Sequence, residues 1–143
     1  MKEVRPQDLM IGNYVRIANV DTNLESYIGR IGKVVMLEDD RIVILLSKKK
    51  LDNIYCSDLV GELEAIPIDW DMMTRLGWKK SHEVVDTLVY EQSEPERRLT
   101  LYTNNTLLVV SSMQTIFCKV VESVHELQNA LKICDVKDMI SYD

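Results

Sequence analysis

The apolar residues of this chain come in pieces too short to build a long buried helix. The longest uninterrupted apolar run, Ile42 to Leu46, is five residues, against the roughly 20 that a bilayer-crossing helix needs. No transmembrane helix is therefore expected. From Tyr14 to Ala65 the runs are β-branched and separated by polar stretches too brief for a helix. They are Tyr14-Val15-Arg16-Ile17, Ile31-Gly32-Lys33-Val34-Val35-Met36, Arg41-Ile42-Val43-Ile44-Leu45-Leu46 and Leu51-Asp52-Asn53-Ile54-Tyr55. Each predicts a strand. Glu38-Asp39-Asp40 predicts a hairpin between the second and third, while Gly12-Asn13, Gly29 and Gly32 mark turns or tight bends. Short, sharply bent strands packed this closely predict a small SH3-like β-barrel over residues 1–64, because so short a sheet hides its edges best by closing on itself. Pro6 to Met10 would cross one end of it, and Ser57-Asp58-Leu59 would form a single helical turn.

Residues 65–143 read as a helix, a four-stranded antiparallel sheet and a second helix, so the fold class expected is α+β, with the barrel packed on this module. Asp69 is a helix N-cap, Ile68 before it can staple onto Met73, and Gly77 is a left-handed stop after which Trp78 folds back toward Met73. Val84 to Glu91 alternates as a strand, and Gln92 to Arg98 is a polar loop containing Pro95. Leu99–Thr103 and Thr106–Val110 flank Asn104-Asn105, which predicts a two-residue type I′ turn. Ile116–Val121 follows after a Ser111–Thr115 connection, and sequential strands usually neighbour one another, which makes a meander the simplest pairing. Ser123 and Glu126 have capping-box spacing, after which Val124, Leu127, Ala130, Leu131 and Cys134 recur along one helical face. Asp135 ends that helix, and one more turn is expected in the tail that follows.

Charge and cysteine usage narrow the setting. The chain has 143 residues with 17 Lys+Arg against 23 Asp+Glu, and its 46% apolar content is enough to form a core. A net charge of -6 argues against strong, non-specific nucleic-acid binding, which needs clustered basic surface to displace phosphate counterions. Cys56, Cys118 and Cys134 form no metal or redox spacing and lie among Val, Leu and Ile. They read as buried small hydrophobes in a reducing compartment. With no apolar stretch behind Met1-Lys2-Glu3-Val4-Arg5 to suggest a signal peptide, a cytoplasmic protein is expected.

Few residues offer chemistry. His82 and His125 lack partners at zinc-site spacing. Ser111-Ser112 and the cysteines lack a nucleophile signature. Glu38-Asp39-Asp40 and Glu91, Glu94 and Glu96 fall in predicted hairpin loops, where acidic residues are usually solvated. Gly29-Arg30-Ile31-Gly32-Lys33 has neither phosphate-loop spacing. No cofactor or metal is expected. Arg30, Lys33, Lys48, Lys49 and Lys50 cluster in the first module and could bind nucleic acid in the manner of a KOW-type barrel, or simply form a lysine-rich guard on a sheet edge.

Leu9-Met10-Ile11-Gly12-Asn13-Tyr14-Val15, Ile66-Pro67-Ile68-Asp69-Trp70 with Leu76-Gly77-Trp78, and above all Val124-His125-Glu126-Leu127-Gln128-Asn129 make the chain resemble a family of small uncharacterised proteins of Bacteroidetes, their phages and mobile elements. The chain departs from that pattern at Glu126, where the family has Gln, and at Asp135, where related sequences have Gly. The resemblance implies a setting and no activity. It draws weight to His125, Gln128 and Asn129, polar positions off the apolar helix face that either tie the fold together or contact a partner. The function expected is a non-enzymatic protein-interaction or accessory protein of phage or mobile-element origin, located in a host cytoplasm or on a virion, whose partner is another protein and which could form a homo-oligomer. The alternatives are a nucleic-acid-associated regulator and a small-ligand-binding or sequestering protein.

Overall fold

The computed structural model of the protein describes Val4 and residues 8–18, 29–37, 42–47, 50–56 and 63–142. The chain divides into two units, Met1–Ile66 with Ser141–Asp143 and Pro67–Ile140. Both are dominated by antiparallel sheet, and two helices lie in the second, which makes the fold α+β.

In the first unit β1 (Tyr14–Ile17), β2 (Ile31–Leu37), β3 (Ile42–Ser47), β4 (Lys50–Cys56) and β5 (Leu63–Glu64) form one sheet in the order β4-β3-β2-β1-β5. The expected closed barrel is corrected to an open sheet. Two-residue β5 reaches only Arg16 and Ile17 of β1, and among the described residues no pairing joins it to β4. The core is Val15, Ile17, Val34, Ile42, Ile44 and Leu63, joined by Val4, Leu9 and Ala65. Gly12, at φ +98°, turns the chain into β1. The buried Asn13 side chain fixes that turn by accepting from Met10 N at 2.8 Å. The strands flanking Glu38-Asp39-Asp40 pair as expected. That link, Pro6-Gln7 and Ser57-Asp58-Leu59 lie outside the described residues.

The second unit opens with α1 (Trp70–Arg75), specified at both ends as its sequence predicts. Asp69 accepts from Asp71 N at 2.9 Å. Gly77 sits at φ +108°, Gly77 N donates to Thr74 O at 3.2 Å and Trp78 N donates to Met73 O at 3.1 Å, the paired bonds of a Schellman stop. Trp78 is buried and packs on Tyr90 with ring centroids 5.5 Å apart. Its indole Nε1 has no hydrogen-bond partner, so the ring serves the core by packing alone.

The sheet that follows has five strands, not four: β6 (Lys79–Lys80), β7 (Thr87–Ser93), β8 (Glu96–Tyr102), β9 (Thr106–Ser111) and β10 (Gln114–Val120), in the order β10-β9-β8-β7-β6. Three turn expectations change. The predicted Gln92–Arg98 loop is ladder: Gln92 pairs with Arg97 and Ser93 with Glu96, leaving only Glu94 and cis-Pro95 to turn the chain. Asn104-Asn105 is not type I′, because Asn105 alone has positive φ (64°) and its N–H donates to Tyr102 O at 2.9 Å, the three-residue hairpin pattern. The chain is instead turned in type I′ fashion at Ser112 and Met113, with φ of 50° and 67°. β7 also begins later than expected, since Val84 and Val85 are exposed in a loop that Ser81 Oγ pins by accepting from Glu83 N and Val84 N.

α2 (Val124–Ile133) covers one face of this sheet. Half of the expected capping box is missing: Ser123 makes no side-chain cap bond, while Glu126 accepts from Glu122 N at 3.2 Å. At the other end Asp135 takes the left-handed conformation (φ 57°), and Val136 N donates to Leu131 O at 2.8 Å. The expected extra helical turn is absent from the described tail; residues 136–142 are irregular.

Two polar side chains of the β7–β8 hairpin hold the helix end in place. Arg97 Nε donates to Cys134 O at 2.6 Å and its Nη1 to Ser111 Oγ at 2.9 Å. Gln92 Nε2 donates to Asp135 O at 3.1 Å, while its Oε1 accepts from Lys137 N at 2.9 Å. By the two-residue period of a strand, Arg97 shares its face with Leu99 and Leu101, and Gln92 shares its face with Leu88 and Tyr90. That is the face on which α2 sits, and Leu88, Leu99, Leu101, Leu107 and Val109 on it are fully buried.

Arg97→Ala strands the helix-end carbonyls and is expected to cost about 1.5–3 kcal/mol in urea unfolding, with Arg97→Lys failing to restore it because one ammonium cannot reproduce the fork. Replacing Ser112-Met113 by Asn-Gly should raise stability by about 1–2 kcal/mol, the cost of holding ordinary residues in left-handed backbone.

Candidate docking face

The opposite face of the second sheet is the one away from α2. The register places Val89, Thr100, Leu108 and Cys118 in one row across it, with Glu91, Arg98, Val110 and Thr115 in the next. Val89, Thr100, Leu108 and Val110 are half-buried by their neighbours, whereas Ile116 (45% exposed), Val120 (51%) and Cys118 lie open. An apolar stripe therefore runs from the middle of the sheet to its β10 edge. Cys118 corrects the reading of the cysteines as buried; Cys134 is buried, and the Cys56 side chain is outside the described residues.

At the other end the same face becomes a groove of about 520 Å³ between β6, β7, β8 and the loop after β6. Lys79, Lys80, His82 and Arg98 contribute to its walls, as do Glu83 and Glu91. Arg98 Nη2 lies 3.6 Å from Glu83 Oε2 with both side chains well exposed, so this pair contributes little to stability and can yield to a competing anion. The sequence carries no warning of this groove, because Arg98 ends a segment whose polar residues read as a loop and the two-residue strand Lys79–Lys80 is too short to show a pattern.

The residues singled out in the sequence occupy other positions. His125 and Gln128 are each 3% exposed and Asn129 is half-buried. His125 Nδ1 lies 3.2 Å from Ser123 Oγ, and Gln128 Nε2 donates to Asp138 Oδ2 at 2.8 Å. The first contact steadies the chain entering α2 and the second ties down the tail leaving it. A partner has almost nothing to touch at His125 and Gln128. Arg30 and Lys33 are exposed, but they lie three positions apart and so project from opposite faces of an extended chain. Lys33 Nζ lies 5.8 Å above the Tyr14 ring, which meets Tyr142 edge-on at 5.0 Å. Lys50 opens β4, while Lys48 and Lys49 lie outside the described residues.

Ser111, Ser112 and Cys134 are engaged structurally, whereas Cys118 is exposed. Ser111 Oγ accepts from Arg97, and Ser112 is a turn residue. Burial pushes the Cys134 thiol up from its ordinary value, with Arg97 pulling the other way, which keeps it a neutral, weakly nucleophilic thiol at neutral pH. Among the described residues no cluster of His, Cys, Asp or Glu could hold a metal ion, and no helix is long and apolar enough to cross a membrane.

Comparison with protein-family models finds no match, and comparisons with curated proteins and with solved structures find none either. Gln128→Ala should lower stability by about 1.5–3 kcal/mol, the usual worth of a hydrogen bond to a charged group. Chemical unfolding of the variant beside an Asp138→Asn control measures it.

Proposed function

We propose that the protein is a non-enzymatic interaction module that binds another protein through the face of its second sheet opposite α2. The observation that supports this reading is the apolar stripe of Leu108, Val110, Ile116 and Val120, open on the side away from the helix and continuous with a groove carrying Lys79, Lys80 and Arg98. Contiguous exposed apolar surface rimmed by polar groups is characteristic of protein-binding sites. A segment with apolar side chains for the stripe and carboxylates for the groove has the complementary chemistry. The exposed free thiol of Cys118 suits a reducing cytoplasm. An accessory role in phage or mobile-element biology rests on the resemblance of Val124 to Asn129 to that family.

The test is quantitative capture from a bacterial host lysate with wild-type protein and with Val110→Glu, which puts a charge in the middle of the stripe. One partner retained by wild type and lost at least tenfold by the variant, with the melting temperature unchanged, is the expected result. Equal capture by both proteins would count against this face.

A further inference from the structure

β10 is unusually open for an edge strand. Six of its seven residues are exposed and only Phe117 is half-buried. Ile116, Phe117, Cys118 and Val120 make it largely apolar, and Lys119 is its single charge. The backbone of its far side can be placed from the ladder. Val121 N donates to Asn105 O at 2.8 Å. Because antiparallel backbone groups alternate between inward and outward, Lys119 and Phe117 point their N–H and C=O toward β9, and Cys118 and Val120 point theirs away from it. Edge strands are normally blunted by charges, proline or bulges. β10 has no proline, and its one bulge lies between Thr115 and Phe117, before the regular run that follows.

We propose that this edge pairs with β10 of a second copy of the chain, antiparallel about a two-fold axis through Cys118, joining two five-stranded sheets into one of ten. Three symmetric registers compete, and side-chain chemistry separates them. Centring on Lys119 sets Lys119 against Lys119 of the partner copy, and directly opposed like charges are destabilising. Centring on Phe117 puts the irregular stretch between Thr115 and Phe117 in the middle of the pairing, whereas centring on Cys118 leaves it at the two ends. Centring on Cys118 lays Lys119 beside the other copy's Phe117, a cation against an aromatic ring, and on the face away from α2 lays Ile116 beside Val120 twice over with the two Cys118 side chains between them. Every outward backbone group of Cys118 gains a partner, and the apolar stripes of the two copies become one surface. A strand whose only charge avoids its own image while its apolar residues meet each other is self-complementary, as a two-fold interface must be.

Sedimentation equilibrium over a wide concentration range tests the pairing. The wild type should approach twice its 16.5 kDa chain mass. Cys118→Pro removes an outward N–H without removing a ladder bond, and it should keep the protein monomeric with little change in melting temperature. The pair Ile116→Lys with Val120→Lys, at two exposed positions, should do the same and serves if the proline variant misfolds. A short bismaleimide should link two copies of the wild type through Cys118 and fail with Cys118→Ser. A monomer at every concentration overturns the proposal, and so does a dimer that survives both edge variants. Either result leaves the docking of a different protein on the Val110 stripe to be judged by its own capture experiment.

Discussion

The hydrogen bonds that Arg97 and Gln92 send to the end of α2 and the residue after it fix that end over the face of the second sheet that carries Leu88, Leu99, Leu101 and Leu107. A helix ends with carbonyls that have no intrahelical donor, and its dipole makes that end partially negative. A guanidinium on the β7–β8 hairpin supplies both a donor and a positive charge there, and Ser111 on β9 fixes the guanidinium in turn. With α2 held over Leu88, Leu99, Leu101 and Leu107, the apolar stripe lies on the other face. The strand order leaves β10 at the edge of the same sheet.

That dependence explains a polar hairpin end where an apolar one would pack as well. Gln92 and Arg97 lie on the covered face, where polar side chains are tolerated because each one answers a backbone group of the helix terminus or the tail. His125 and Gln128 act in the same way on the helix itself, toward Ser123 and Asp138. The buried polar residues of this unit therefore work as ties between segments, and the exposed apolar ones form the stripe on the opposite face.

Features set by a few adjacent residues were legible in the sequence. Asp69 and Gly77 bracket α1 as expected, and the periodicity of Val124, Leu127, Ala130 and Leu131 gives the buried face of α2. Features decided by distant partners were not. Gln92 to Arg98 read as a loop because its inward side chains are polar, and only the helix end across the sheet accounts for them. The type I′ turn fell on Ser112 and Met113, which carry no such signal, while Asn104-Asn105 took a longer turn. Among the described residues the two-residue fifth strand pairs with β1 and not with β4, so the first sheet is open. The docking face was hidden by composition: Leu107, Leu108, Val109 and Val110 are consecutive and apolar, so alternation in β9 cannot say that Leu107 and Val109 face the helix and Leu108 and Val110 do not. The helix position settles it, and no local pattern encodes that position.

β10 is an edge with one side bonded to β9 and, among the described residues, the other side unpaired. Residue-resolved amide hydrogen exchange, followed from low to high protein concentration, reads both sides at once. At low concentration the amides of Phe117, Lys119 and Val121 should exchange slowly and those of Cys118 and Val120 quickly, and raising the concentration should slow Cys118 and Val120 alone. Equal, concentration-independent protection along the whole strand would contradict the account, because it would mean that the outer side of β10 is already paired within a single chain.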